Sequence, residues 1–207
     1  MTVARPRATG RSSQRRSLKM VVTGPFDAGK TTLIQSISEI PVLSTERSVS
    51  DNGYDSAVSS RATTVAMDFG RLSIGEDLAL HLFGTPGQRR FDFMWEILAD
   101  GMLGFVVMVD GSDEASIAGT KETLEFFTGA AQVPYIVAVN KVAEDDEGAI
   151  TTVRDALGVA DEIRVVACDA RDRESVKTVL VELLLTVLEQ VSEETDTDTS
   201  HAVPANA

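Results

Sequence analysis

Cysteine is nearly absent from these 207 residues: Cys168 stands alone. One thiol cannot form an intramolecular disulfide framework or supply a cysteine-rich zinc or iron–sulfur centre. Histidine is almost as scarce. His81 and His201 lie far apart in sequence, which argues against a histidine-based metal centre. No stretch approaches the roughly 20 apolar residues that a membrane-spanning helix needs. Positive charge is short as well: 19 Lys and Arg against 32 Asp and Glu, a net charge of −13. A general nucleic-acid binder needs a basic footprint, so that class is excluded. What is present is a hydrophobic fraction of 43%, enough to build a core and to exclude wholesale disorder. A reducing cytoplasm is the expected compartment.

The few cations are unevenly placed. Residues 1–19 carry five Arg and one Lys and no acid, so the other 188 residues sum to −19, and no Lys or Arg follows Lys177. Three parts are expected: a disordered basic arm over 1–17, one folded domain over 18–191, and a disordered acidic tail over 192–207. The arm is not expected to be a secretory leader, because no apolar run of sufficient length follows it. MTVARP offers no glycine for myristoylation, and PANA is no prenylation box. Three uses of the arm stay open: a solvated tail, a peripheral membrane contact with anionic lipid, or a contact with a partner protein.

Between the tails, short apolar runs alternate with helical patterns. Strands are predicted over 18–23, 63–70, 78–83, 104–110, 135–139 and 164–167. Helices are predicted over 30–40, 90–99, 120–127 and 148–156, and from Ser175 onward on the stripe Val176, Val179, Leu180, Leu183, Leu184, Val187, Val191. This alternation implies an α/β fold with helices on both faces of the sheet. The strands near 63–70 and 78–83 are joined by too short a link for a crossover, so they must run antiparallel. The expected sheet has six strands and is mixed, with one antiparallel edge strand. Residues 42–62 read as a long polar loop, and loops of that length are usually functional.

Gly24-Pro25-Phe26-Asp27-Ala28-Gly29-Lys30-Thr31 matches G-x-x-x-x-G-K-[ST] in full. A buried strand precedes it and an amphipathic helix follows, as a phosphate-binding loop requires. Gly29 would let the backbone N–H groups of about 27–32, among them those of Asp27, Ala28 and Thr32, turn inward on the phosphates. The helix N-terminus adds its dipole. Lys30 would carry a point charge to the β- and γ-phosphates, and Thr31 a hydroxyl to Mg²⁺.

After the next strands come His81-Leu82-Phe83-Gly84-Thr85-Pro86-Gly87-Gln88-Arg89. With this segment the chain resembles the Ras-like small GTPases, whose third strand ends in D-x-x-G-Q. TGPFDAGKTT, TTVAMDFG and LFGTPGQRRF are most similar to a prokaryotic branch: the ATP/GTP-binding proteins of actinobacterial conservons and their gliding-motility relatives. The likeness extends over about 18–191. It implies a P-loop, Ras-like three-layer domain that acts as a nucleotide-dependent switch, binding GTP and GDP with Mg²⁺ and hydrolysing GTP slowly. It implies that Thr64, or its neighbour Thr63, joins Thr31 as a metal ligand, that Gly87 offers its N–H to the γ-phosphate, and that Gln88 orients the attacking water. Asn140 and Lys141 open a base-binding N-K-x-D, and Ala170 would give an N–H to guanine. Roadblock-type and sensor-kinase-like proteins are the implied partners.

Two positions depart from the pattern. Gly84 replaces the Asp of D-x-x-G, which weakens metal binding unless another carboxylate helps. Asp68 is a candidate, with a solvated strand residue as the alternative reading. Ala143 replaces the Asp of N-K-x-D; Glu144 or Asp145 would fill its place only if the loop shifts. Guanine selectivity is therefore expected to be modest. The departures favour a competing class, a nucleotide-binding interaction module without useful catalysis. A third class, an ATP-using kinase, would need an arginine-rich lid that is not evident. Arg61, Arg89 and Arg90 are either internal arginine fingers or ordinary surface charges. Trp95, Phe91, Phe93 and Met94 are either core or a partner patch. Cys168 and His81 are expected to be structural.

Overall fold

Gly104–Asp110 (GFVVMVD) is buried along its whole length, and this one strand explains the layering. A strand apolar at every position must be covered on both faces, as in parallel sheets wrapped by helices. The computed structural model describes residues 16–44, 67–87 and 93–200. In chain order they form β1 (Arg16–Thr23), α1 (Lys30–Ile37), β2 (Leu43–Ser44), β3 (Asp68–Ile74), β4 (Leu78–Gly84), α2 (Phe93–Ala99), β5 (Gly104–Asp110), α3 (Glu114–Ala130), β6 (Tyr135–Asn140), α4 (Glu147–Leu157), β7 (Val165–Cys168) and α5 (Arg173–Ser200).

The strand order is β2-β3-β4-β1-β5-β6-β7. Six principal strands form the expected mixed sheet, and β3 runs antiparallel to β4. The two-residue β2 pairs outside β3, so the antiparallel strand sits one place in from the edge. Residues on successive strands divide between two cores. Met20, Val22, Val106, Met108, Ile136 and Ala138 pack beneath α1 and α5. Val21, Phe105, Val107, Val109, Val137 and Val139 pack beneath α2, α3 and α4. The period of two along each strand sends alternate side chains to opposite layers.

Several boundaries differ from expectation. β1 begins at Arg16, paired with Leu78, inside the segment expected as basic arm. β3 spans 68–74 rather than 63–70 and turns at Gly75, whose φ is 62°. α1 stops at Ile37, where Ser38 is extended and its hydroxyl bonds Ile40 O. α3 begins at Glu114, six residues before the predicted start, capped by the Asp113 side chain on Ala115 N. α5 continues to Ser200, beyond the boundary expected at 191, and Val191 of its predicted apolar stripe is exposed. Leu43–Ser44, expected within the loop at 42–62, is strand β2, and residues 1–15, 45–66, 88–92 and 201–207 lie outside the described residues.

β1 is where the strand order reverses: the chain moves to β4 on one side and to β5 on the other. Ligands of open α/β sheets bind at the carboxyl ends of strands at that switch point. The P-loop segment leaves β1 there.

Candidate functional site

The loop from Gly24 to Gly29 owes its shape to positions that tolerate positive φ. Gly24 has φ 136°, and a Cβ there would stand 2.1 Å from the Met108 carbonyl oxygen. Gly29 has φ 103°, and its Cβ would stand 2.3 Å from Asn140 Nδ2. Both glycines thus combine a left-handed backbone with a close approach. Asp27 also has positive φ, at 63°. Gly29 caps α1 with no side-chain bond, and the first turn carries no acid. The first N–H groups of a helix have no intrahelical acceptor, so this end is left for an anionic ligand.

Lys30, buried, folds back over the loop and donates to the carbonyls of Gly24 at 2.9 Å and Pro25 at 2.6 Å. A Cβ on Gly87 would stand 2.9 Å from the Lys30 ammonium and 2.7 Å from the Phe26 backbone. The β4 end and the P-loop therefore close on one another around that cation. Thr31 donates its hydroxyl to Asp68 Oδ2 at 2.5 Å. Asp68 is buried and lies opposite Gly84 in the β3–β4 ladder, so the solvated reading is corrected. A Cβ on Gly84 would come within 3.0 Å of the Asp68 Cβ. The acid missing at 84 is matched by an acid on the adjacent strand, occupying the same space. Lys30, Thr31, Thr32, Asp68, Thr85 and Gly87 line a cavity of about 210 Å³.

A second cavity, of about 470 Å³, shares Asp27, Gly29 and Thr32 with the first and continues to Asn140, Lys141, Asp169 and Ala170. Asn140 is buried between the two loops it joins. Its Nδ2 donates to Ala28 O at 2.9 Å, and its Oδ1 accepts from Ala170 N at 3.1 Å. The Ala170 N–H expected to face a base is thus directed at Asn140. Lys141, at φ 63°, holds its ammonium between Asp110 Oδ2 at 2.8 Å and Asp27 Oδ2 at 3.0 Å. Burial pushes the Asp110 carboxyl up, but the bonds from Lys141 and Ser112 outweigh it and hold it below the ordinary carboxylate range. The Asp110 and Asp27 bonds raise Lys141 in turn. Asp110 was missed by motif reading; the signal was an acid closing the apolar run GFVVMVD.

Ala143, Glu144 and Asp145 do not line the second cavity. The Ala143 carbonyl accepts from Asp146 N, and Glu144 borders a separate cavity beside α5. The loop shift that would bring Glu144 or Asp145 to the Ala143 role is not found. Trp95 is core, packed on Phe126 and Phe127 at 5.1 and 5.8 Å between ring centres, while Phe93 is exposed. His81 meets Phe69 edge-on within the β3–β4 ladder. Burial raises the Cys168 thiol to about 11, so it is un-ionised at neutral pH and a poor nucleophile. Thr63, Thr64, Gln88, Arg61, Arg89, Arg90 and Phe91 lie outside the described residues.

A sequence model of a protein family, the conserved hypothetical ATP binding proteins, matches residues 22–190. An uncharacterized protein of Methanocaldococcus jannaschii is 32% identical over 129 residues, 62% of this chain and 73% of its own length. The Ras-related protein Rab-3C of Mus musculus is 24% identical over 188 residues, 87% of this chain and 75% of its own. Translation initiation factor IF-2 of Clostridium botulinum is 33% identical over 129 residues, but the match spans only 16% of that protein.

Proposed function

The chain belongs to the conserved hypothetical ATP binding protein family, so nucleotide binding is its premise, and we propose that it is a small GTP-binding switch that hydrolyses GTP slowly to GDP and phosphate. One observation carries the reading. Asn140 ties the phosphate-binding loop to the loop after β7, and the phosphate cavity and the second cavity on either side of this tie share Asp27, Gly29 and Thr32 in their walls. A ligand spanning both has an anionic end at Lys30 and the α1 N-terminus and a planar end beside Lys141.

Thr31, Asp68 and Thr64 would hold Mg²⁺. The donors fit: hydroxyl and carboxylate oxygens are the hard ligands this ion takes. Among the described residues no group of three His, Cys, Asp or Glu could hold a metal. The remaining ligands would come from the nucleotide and water, as is usual for Mg²⁺. When bound, the ion neutralises charge on the β- and γ-phosphate oxygens. Asp68→Asn should raise the Mg²⁺ concentration needed for half-maximal nucleotide binding by about tenfold, read by fluorescent GDP titration at fixed free Mg²⁺.

In hydrolysis a water oxygen bonds to the γ-phosphorus, the bond to the β–γ bridging oxygen breaks, and GDP leaves with that oxygen. Gln88 would orient the water, and the Gly87 N–H would hold the γ-phosphate. Gln88→Ala should slow single-turnover phosphate release by about tenfold or more and leave the GDP dissociation constant unchanged. Equal release by wild type and variant would remove the catalytic role. The substitutions at Gly84 and Ala143 favour the second reading, an interaction module without useful catalysis, and the same assay separates the two. In the first reading the loop at 42–62 and the Gly84–Arg90 segment are the two-state element, ordered by the γ-phosphate and released on hydrolysis.

The conservon resemblance suggests Roadblock-type and sensor-kinase-like partners, and the basic arm at 1–17 suits a peripheral contact with anionic lipid. No helix among the described residues is long and apolar enough to cross a membrane.

A further inference from the structure

We infer that Asp169 is the carboxylate that recognises the base, and that it selects a purine carrying donors at N1 and at the 2-position, which is guanine. This rests on the nucleotide-binding reading above and names the base for that same site. Carboxylates reach the second cavity from two residues, Asp27 and Asp169. Asp27 is engaged by the Lys141 ammonium and stands on the phosphate side, where its cavity joins the first. Asp169 stands at the far end.

Strand pairing puts it there. Asn140 closes β6 and is in register with Cys168, the last residue of β7. Asp169 is therefore the first residue beyond the sheet on the strand next to Asn140-Lys141. Its main chain is held by two bonds. Asp169 N donates to Ser175 Oγ at 3.0 Å, and the following Ala170 N donates to Asn140. Ala143 does not line this cavity and belongs to the turn that caps α4 through Asp146. A carboxylate needed beside Lys141 is thus supplied by the neighbouring strand end, not by the residue three places after Asn140.

The carboxylate is also prepared as an acceptor. Arg171, which lines the same cavity, pairs with it, with Nε to Oδ1 at 3.1 Å and Nη2 to Oδ2 at 3.3 Å, and the Arg171 N–H also meets Oδ1 at 3.0 Å. A carboxylate oxygen accepts more than one bond, so lone pairs remain for a base. Arg171 is 83% exposed along its side chain, so it can swing aside without leaving a buried charge. These bonds hold the Asp169 carboxyl below the ordinary range, and it is anionic at neutral pH. Guanine offers N1–H and a 2-amino group to such an acceptor. Adenine has no donor at N1, so its ring nitrogen would face the carboxylate lone pairs. A site built to bond a ligand donor rejects the analogue that lacks it.

The test titrates the full chain, in Mg²⁺, with GDP, inosine diphosphate, xanthosine diphosphate and ADP by calorimetry. Wild type should bind GDP about a hundredfold more tightly than ADP, with inosine diphosphate between them. Asp169→Asn should lose about a hundredfold for GDP and gain about tenfold for xanthosine diphosphate, because the amide now donates to the 2-oxo group. Its ADP affinity and its thermal midpoint should stay as in wild type, which shows that the pocket is intact. Ala143→Asp should leave the GDP preference unchanged. Equal GDP and ADP affinity in wild type, or undiminished GDP binding by Asp169→Asn, would overturn the inference while leaving nucleotide binding in place. Binding of none of the four by wild type would overturn the nucleotide reading itself, and this inference with it.

Discussion

Lys30→Ala should abolish tight nucleotide binding, raising the dissociation constant for GDP by at least about a hundredfold. The lysine ammonium is the cation nearest the proposed phosphate path, and it is already withdrawn from water, bonded to the Gly24 and Pro25 carbonyls. Phosphates replacing those carbonyls would meet a desolvated donor of full charge. Each hydrogen bond to a charged group is worth about 1.5–3 kcal/mol, and about 2.7 kcal/mol is a hundredfold in affinity. The fold should survive. Alanine is a good first-turn residue, and the buried apolar residues of α1, Leu33, Ile34 and Ile37, are untouched. Far-UV circular dichroism checks the fold, and fluorescent GDP titration checks affinity. A variant that binds GDP like wild type removes the phosphate-cradle assignment from residues 24–31.

The P-loop was legible because its parts are local: a strand, a fixed spacing of glycines and a helix start all lie within fifteen residues. β5 was legible for a related reason, since full burial requires every position to be apolar. α3 was not. Its inward face carries Ser116, Thr120 and Thr123 beside Ile117, Leu124 and Phe127. Thr120 returns its hydroxyl to Ser116 O, and Ser116 Oγ accepts from Asp110 N. Buried hydroxyls satisfied by the backbone break the apolar period that announces a helix. β3 was misplaced by a few residues because Arg71 and Ser73 lie on a half-exposed strand with little apolar signal.

Of the two carboxylates, Asp68 was a candidate already, because the short link sets its strand beside the one that ends at Gly84, whereas Asp169 was hidden by geometry. Motif reading follows spacing along the chain, and both departures, Gly84 and Ala143, leave a gap at a fixed spacing. The gap at Gly84 is filled from across a strand ladder, by Asp68 opposite it. Asp169 stands in the same relation to the end of β6, through the pairing of Asn140 with Cys168. Strand register decides both neighbours, and for Asp169 it is not visible until the order of the strands is known.

Asn140→Ala should damage both the fold and the site, and that pairing of effects distinguishes a clamp from a simple base ligand. The side chain is buried and bonds two backbone groups from loops 142 residues apart, at Ala28 and Ala170. Truncation takes the donor from the Ala28 carbonyl and leaves the buried Ala170 N–H without Oδ1. Removing a partner from a buried backbone group costs about 1–3 kcal/mol, so a loss of roughly 2–4 kcal/mol is expected. For a chain of this size that lowers the melting midpoint by roughly 5–15 °C. Space also opens beside Gly29, where Nδ2 now stands within 2.3 Å of a would-be Cβ, and the P-loop loses its rear support. GDP affinity should fall with it, even in the cold where the variant is folded. Asn140→Asp gives the sharper contrast. One oxygen can still accept from Ala170, but the other meets the Ala28 carbonyl as acceptor against acceptor. At pH 8 this variant should therefore be less stable than the alanine variant. Acidification protonates the new carboxyl and restores a donor toward Ala28, so its deficit should shrink as the pH falls toward 5 while that of Asn140→Ala does not change. Melting curves for both variants across that range settle the point. If both hold the wild-type midpoint at every pH, Asn140 does not join the two loops.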